Sequence, residues 1–196
     1  MSVLDANYWN SRYLNGQAGW DLGEISTPIK VYIDQLEQKD LRILIPGAGN
    51  AHEAIYLLEN GFTNVTVIDF AEEAIQKLSS KLEGINPNNF HLIQDDFFLH
   101  FGEYDLILEQ TFFCAIQPER RTDYVNHIHQ LLAAKGKIAG LLFNTTFPFE
   151  GPPFGGAKEE YEKLFAAKFE IELMDTAYNS VLKRQDSELF IKLIKK

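Results

Sequence analysis

What this sequence has least of sets its first bounds. A single cysteine, Cys114, stands among 196 residues, so no disulfide can form within the chain and no thiolate zinc cluster can be built from it. The five histidines offer no metal pattern in its place, since His127 and His129 are two apart and do not share a helix face. Positive charge is also scarce, with 18 Lys and Arg against 28 Asp and Glu. The resulting net charge of −10 argues against nucleic acid and acidic membrane surfaces as partners and reads as a device of solubility. No apolar run approaches the roughly 18 residues of a membrane span. Met1-Ser2-Val3-Leu4-Asp5 lacks the basic region and apolar core of a signal peptide, and a cytoplasmic location is expected.

What is present reads as one globular domain over residues 1–196, long enough to bury a sizeable core. The first forty residues hold no convincing strand. Asn7–Tyr13 reads as a short helix carrying Tyr8, Trp9 and Tyr13, and Ser26-Thr27-Pro28 opens a second helix running to about Gln38. From Leu41 the pattern alternates. Strands are expected at Leu41–Ile45, Asn64–Asp69, Phe90–Gln94, Tyr104–Glu109 and Lys137–Phe143, with amphipathic helices at Ala51–Asn60, Ala71–Glu83 and Pro118–Ala134. That alternation means a parallel sheet covered on both faces. After a Pro/Gly-rich loop at Phe147–Gly156 come a helix at Ala157–Ala167 and strands at Phe169–Asp175 and Glu188–Ile194. The link between these last strands is too short for a crossover helix, so they should be antiparallel neighbours.

The chain is organised around Ile43-Leu44-Ile45-Pro46-Gly47-Ala48-Gly49-Asn50, a strand, a tight turn and a helix start. Glycines there let a ligand approach the backbone, and the helix start offers free N–H groups. A dinucleotide and S-adenosyl-L-methionine both use such a corner, with an acidic residue after the second strand to reach ribose hydroxyls. Asp69 is that residue here. The dinucleotide fingerprint wants a third glycine three residues after the second, and His52 stands in its place. An antiparallel last strand favours the methyl donor.

Several stretches resemble the thiopurine S-methyltransferase family, and its halide/thiol methyltransferase branch in particular. Pro46-Gly47-Ala48-Gly49 is similar to that family's Pro-Gly-x-Gly motif. Tyr104-Asp105-Leu106-Ile107 with Phe112-Phe113-Cys114-Ala115-Ile116 resembles its fourth-strand motif, and Gly151-Pro152-Pro153-Phe154 its Gly-Pro-Pro-aromatic loop. Trp9, Tyr13 and Trp20-Asp21 match its N-terminal series in spacing. The resemblance implies a single-domain, Rossmann-like α/β fold of class I methyltransferases: a seven-stranded, mostly parallel sheet with an antiparallel last strand. Residues 1–40 would form a helical cover over the cofactor.

The site residues it implies follow from the same motifs. Trp9, Tyr13 and Trp20 would close over the methionine part of S-adenosyl-L-methionine, with Gly47 and Gly49 leaving room for it. Asp69 and Phe70 would hold the ribose, and Asp96 with Phe97 the adenine, Asp95 being the neighbouring alternative. Glu109 and Gln110 would end the fourth strand beside the point of methyl transfer, and Arg121 would help order the active site. Tyr13 stands where relatives carry Trp, Gln110 where they carry Tyr, and Phe154 where plant halide/thiol members carry Tyr.

An aromatic pocket of Phe112, Phe113, Phe147, Phe149 and Phe154, with Trp20 as cover, would take the acceptor. The expected reaction is direct in-line attack of a soft nucleophile, a thiol, thiopurine or halide, on the activated methyl. It needs positioning and desolvation rather than a metal or an enzyme nucleophile. Cys114 is expected to be a small buried residue. A catalytically silent cofactor-binding protein, an oxygen or nitrogen methyltransferase and a nucleotide-dependent oxidoreductase are the alternative readings. A monomer or weak homodimer is expected.

Overall fold

The computed structural model describes residues 4–17, 19–47 and 49–196; Met1 to Val3, Ala18 and Ala48, the middle residue of the glycine turn, lie outside the described residues. Two helices, α1 (Ala6–Leu14) and α2 (Thr27–Asp34), precede any strand. Asp5 caps α1 by accepting from the Tyr8 N–H at 2.9 Å. Ser26 has the chemistry of a cap but does not act as one. Its hydroxyl donates instead to Oε1 of Gln110, 3.0 Å away at the end of the fourth strand. The expected extension of α2 to Gln38 is absent. The polar run Glu37–Asp40 has no apolar face to bury, and the chain extends so that the Lys39 carbonyl accepts from Thr63 N–H at 2.9 Å.

Strands and helices then alternate: β1 (Ile43–Pro46), α3 (His52–Glu59), β2 (Val65–Asp69), α4 (Glu72–Lys81), β3 (Phe90–Gln94) and β4 (Tyr104–Gln110). A short 3-10 turn at Pro118–Arg120 leads into α5 (Arg121–Leu131), and β5 (Leu132–Phe143) follows directly. α6 (Lys158–Ala166), β6 (Phe169–Thr176) and β7 (Glu188–Lys195) complete the chain. The helix expected to reach Ala134 is therefore corrected. Leu132 is buried and paired with Tyr104, so packing against the sheet overrides the helix propensity of its Leu and Ala neighbours.

The strands form one sheet in the order β3-β2-β1-β4-β5-β7-β6. β1 pairs in parallel with β2 (Ile43 opposite Val65) and with β4 (Leu44 opposite Ile107), while β7 runs antiparallel between β5 and β6. Alternate residues of β1 face opposite sides, as the period of a strand requires. Ile43 and Ile45 pack with Ile29 and Ile33 of α2 and with Ala54 and Leu57 of α3. Leu44 packs on the other face with Tyr124, Ile128, Tyr161 and Phe165 of α5 and α6. Strand order reverses between β1 and β4. In an open α/β sheet the crevice outside the carboxyl ends of the strands at that point is the natural ligand site. Among the described residues no helix is long and apolar enough to cross a membrane.

Candidate active site

The glycine corner sits at the switch point. Gly47 and Gly49 both have positive φ, at 57° and 54°. A Cβ on Gly47 would lie 2.0 Å from Cδ2 of Phe112, so only glycine lets the turn and that ring share the space. On β2, Asp69 is 7 % exposed; its Oδ2 accepts from Gly49 N–H at 3.1 Å and its Oδ1 from Ala71 N–H at 2.9 Å. Burial pushes its carboxyl above the ordinary range, and the N–H groups of Ala71, Gly49 and Phe70 pull it back. Asp69 therefore braces the corner and also presents its remaining lone pairs to the cleft, where Phe70 and Ile68 flank it.

Helix α1 and the loop after it close this side with three rings, those of Trp9, Tyr13 and Trp20. Trp9 and Trp20 meet edge-on at 5.5 Å, Tyr13 and Trp20 at 5.9 Å, and the Arg12 guanidinium lies 5.5 Å from the Trp20 ring. After β3, Asp95 and Asp96 both line the cleft. Asp96 commits Oδ1 to Phe98 N–H at 2.9 Å, and Asp95 Oδ1 accepts from Asp96 N–H at 2.7 Å. Phe97 is buried edge-on against Phe112 at 5.0 Å and His127 at 4.8 Å and lines the cleft.

The end of β4 departs from what its sequence implies. Glu109 is fully buried and lines neither the cleft nor its side recess. Its Oε1 accepts from the Phe112 and Phe113 N–H groups, both at 2.8 Å, and its Oε2 from the Tyr124 hydroxyl at 2.7 Å. Burial pushes this carboxyl up to about 7 despite those three donors. Glu109 thus shapes the turn that sends consecutive phenylalanines opposite ways. Phe112 faces the cleft, whereas Phe113 enters the core against Tyr124, Tyr161 and Phe165 and is no pocket wall. Gln110 lines a small recess beside the glycine corner, as does Gly49.

Arg121 and Phe154 also lie off the cleft. The Arg121 guanidinium donates to the Gly155 carbonyl at 2.8 Å and stacks over Phe113 at 4.7 Å, while Phe154 N–H donates to the Cys114 carbonyl at 2.7 Å. Together they tie the Gly151–Phe154 loop to the turn after β4. Cys114 is buried, its thiol donates to the Thr111 carbonyl at 3.2 Å, and burial raises its pKa further from any thiolate.

Beyond the corner the cleft widens between Ile116, Phe143, Phe147, Phe149, Val181 and Leu182. Phe147 stacks on Phe149 at 5.3 Å and meets Phe143 edge-on at 5.1 Å. Nothing in the local sequence marked Arg184. It is buried in the loop before β7, pairs with Glu188 at 3.2 Å, lies 5.5 Å from the Phe143 ring and donates to the Trp20 carbonyl. One arginine therefore pins the N-terminal aromatic cover to the far wall. The cleft has a volume of about 1490 Å³. Ordinary single-ligand pockets run to roughly 1,000 Å³, so this one has room for a cofactor and a second molecule.

The inserted antiparallel β7 separates this fold from the dinucleotide-binding version of the doubly wound sheet. It gives the protein the fold of the Rossmann-like S-adenosylmethionine-dependent methyltransferases. Solved structures of that fold include the 1,6-didemethyltoxoflavin-N1-methyltransferase of Burkholderia thailandensis, with a TM-score of 0.80 and 18% identity, covering 98% of this chain and 88% of that one. The magnesium protoporphyrin IX methyltransferase of Synechocystis matches over 100% of both chains at 14% identity and a TM-score of 0.76. The model of the thiopurine S-methyltransferase family matches residues 4–193, and the chain belongs to that family: it is a methyltransferase that uses S-adenosylmethionine. It is 30% identical over 165 residues to thiocyanate methyltransferase 1 of Brassica oleracea, spanning 82% of this chain and 72% of that protein. It is 25% identical over 191 residues to a thiopurine S-methyltransferase of Pseudomonas paraeruginosa, spanning 88% and 87% of the two chains.

Proposed function

We propose that this protein methylates a small soft nucleophile, a thiol, a thiopurine or a halide-like anion, by direct in-line displacement within the cleft. Bound S-adenosylmethionine supplies an electrophilic methyl group on a sulfonium. In this reading Asp69 holds the ribose, Asp96 and Phe97 the adenine, and Trp9, Tyr13 and Trp20 present electron-rich faces to the positive end of the cofactor. Phe112, Phe143, Phe147 and Phe149 line an aromatic acceptor chamber on the other side of the glycine corner.

The observation that carries the proposal is the character of that chamber. Four phenylalanines line it beside the charged Glu150 and Lys183, no histidine lines the cleft among the described residues, and the Cys114 thiol is tied to a carbonyl. An oxygen acceptor needs a group to take its proton in the transition state, whereas a thiolate or halide arrives without one. Desolvation and alignment are then the contributions left for the protein. The same reading makes it a cytoplasmic enzyme with a small-molecule acceptor. Incubation with S-adenosylmethionine and a panel of alkyl thiols, aromatic thiols and halides, with headspace detection of methylated products, tests it. Methylated thiol is the expected product. Turnover of hydroxyl or amine acceptors alone would overturn the reading in favour of an oxygen or nitrogen methyltransferase. Cofactor binding without turnover on any acceptor would leave a silent binding protein.

A further inference from the structure

A recess of about 40 Å³ opens beside the glycine corner, on the face covered by α2 and α3. Trp20, Asp21, Gly47 and Thr111 line both it and the main cleft, so the two communicate. The volume suffices for a group the size of a water molecule or an ammonium. Its wall is acidic, with Asp21, Glu24 and Glu53 against His52 as the one lining group able to carry positive charge.

The carboxylates differ in how they are held. Asp21 accepts from Gly23 N–H at 3.0 Å, faces His52 Nε2 at 2.8 Å and is bonded by the Asn50 amide. Glu53, in the first turn of α3, is only 6 % exposed, and among the described residues its carboxylate receives a hydrogen bond only from its own backbone N–H. Burial pushes its carboxyl above the ordinary range, and the Arg184 charge reaches it only through space. A buried carboxylate with no cation in contact is costly, and a cation placed opposite removes that cost.

We infer that Glu53 is the receptor for the α-ammonium group at the amino-acid end of the cofactor, with Asp21 as an outer countercharge held by Asn50 and His52. The inference rests on S-adenosylmethionine as the cofactor and assigns a residue that none of the glycine, aspartate or aromatic motifs contains. Both glycines of the corner border the recess, and Gln110, whose Oε1 is already occupied by the Ser26 hydroxyl, closes its end. Asp69 and Asp96, on β2 and just after β3, line the main cleft and not the recess, so adenosine and amino acid are read by separate carboxylates.

Calorimetric titration with two ligands separates those contributions. S-adenosylhomocysteine carries the amino-acid end, and methylthioadenosine shares its adenosine and thioether but lacks the ammonium. Glu53→Gln is expected to weaken S-adenosylhomocysteine by about tenfold or more, the loss typical of a buried charge pair deprived of one partner, and to leave methylthioadenosine unchanged. The unliganded variant should melt no lower than the parent, because the substitution removes a buried charge. Equal weakening of both ligands, or of neither, overturns the assignment of Glu53. If the parent protein itself fails to bind S-adenosylhomocysteine, the cofactor reading fails, and this inference with it. Glu53→Asp, which keeps the charge but withdraws it by one methylene, carries the same test should the Gln variant not fold. Its expected result is a smaller loss, again confined to S-adenosylhomocysteine.

Discussion

The two sides of the cleft are built by different means. The proposed cofactor side is built on the ends of consecutive parallel strands: Gly47 and Gly49 follow β1, Asp69 ends β2, and Asp96 and Phe97 follow β3, all in fixed register. The acceptor side draws Phe112 from the turn after β4, Phe147 and Phe149 from the loop after β5 and Arg184 from the loop before β7. It is held together by contacts between distant parts of the chain, such as Arg184 with Trp20, 164 positions apart. A backbone-built half recognises one constant molecule, and a loop-built half leaves the partner open to variation. A fault in the first should damage cofactor affinity, and a fault in the second should damage the assembly or the acceptor.

The largest effect is expected where the halves are joined. Arg184→Ala removes the cationic partner of buried Glu188, leaving it the Ser180 hydroxyl at 2.7 Å, and frees the Trp20 carbonyl at the same time. Removing one partner of a buried ion pair costs up to about 3–5 kcal/mol, so the thermal midpoint should fall and cofactor affinity with it. Melting the variant in denaturant measures the first, and titration with S-adenosylhomocysteine under folded conditions measures the second. Undiminished stability would show the two walls to be independent. Asp69→Ala comes next. It should weaken S-adenosylhomocysteine by about 1–3 kcal/mol by leaving polar groups unpaired, and it also releases Gly49 N–H. Acceptor KM measured at saturating cofactor should not change, and a parallel rise in both would blur the division between the halves.

How much of each half could be read from the sequence follows the same division. The glycine corner and Asp69 announce themselves because turn chemistry and strand ends are local, and the β6–β7 antiparallel pairing follows from the shortness of their connection. Ser26 looked like a helix cap, yet its hydroxyl is used 84 positions away on Gln110. Glu109 looked like a strand-end site residue, yet a buried carboxylate can serve the backbone of its own turn equally well. The chemistry of a side chain does not say which way it faces. Phe112 and Phe113 are identical in sequence terms, and only the Glu109 turn sends one to the cleft and one to the core. Glu53 and Arg184 fit no local pattern, since each gains its meaning from residues on other elements.

Glu109 lies at the boundary of the two halves and offers a pH test. Its carboxyl is raised from 4.5 to about 7 by burial, so the folded chain holds that proton more tightly than the unfolded one. Its contribution to stability is therefore fully present below the unfolded value of 4.5 and is lost as pH rises through about 7. Glu109→Gln keeps an acceptor for Phe112 and Phe113 N–H but cannot ionise. Thermal melts from acid to neutral pH should show the parent losing stability relative to the variant across that window. Parallel curves would mean that Glu109 stays in one protonation state and that the turn it holds is insensitive to pH.

The smallest effect expected is at the acceptor rim, and it bears directly on what the loop-built half does. Phe149 is 52 % exposed and stacks on Phe147 at 5.3 Å, so it covers the chamber without belonging to the core. Phe149→Ala leaves no buried cavity and should change stability by less than about 0.5 kcal/mol, the usual range for surface positions. The ring packs on Phe147 in the loop after β5 and not on the strand ends that carry the glycine corner, so affinity for S-adenosylhomocysteine should match the parent. Its loss removes apolar area from the acceptor in ground state and transition state alike, which raises KM and leaves kcat unchanged. At about 25 cal/mol per Å² of contact, the penalty should grow with the apolar area of the thiol and vanish for a halide too small to reach the rim. An equal rise in KM for thiols of every size would show the ring to be acting on the path into the cleft rather than on the bound acceptor.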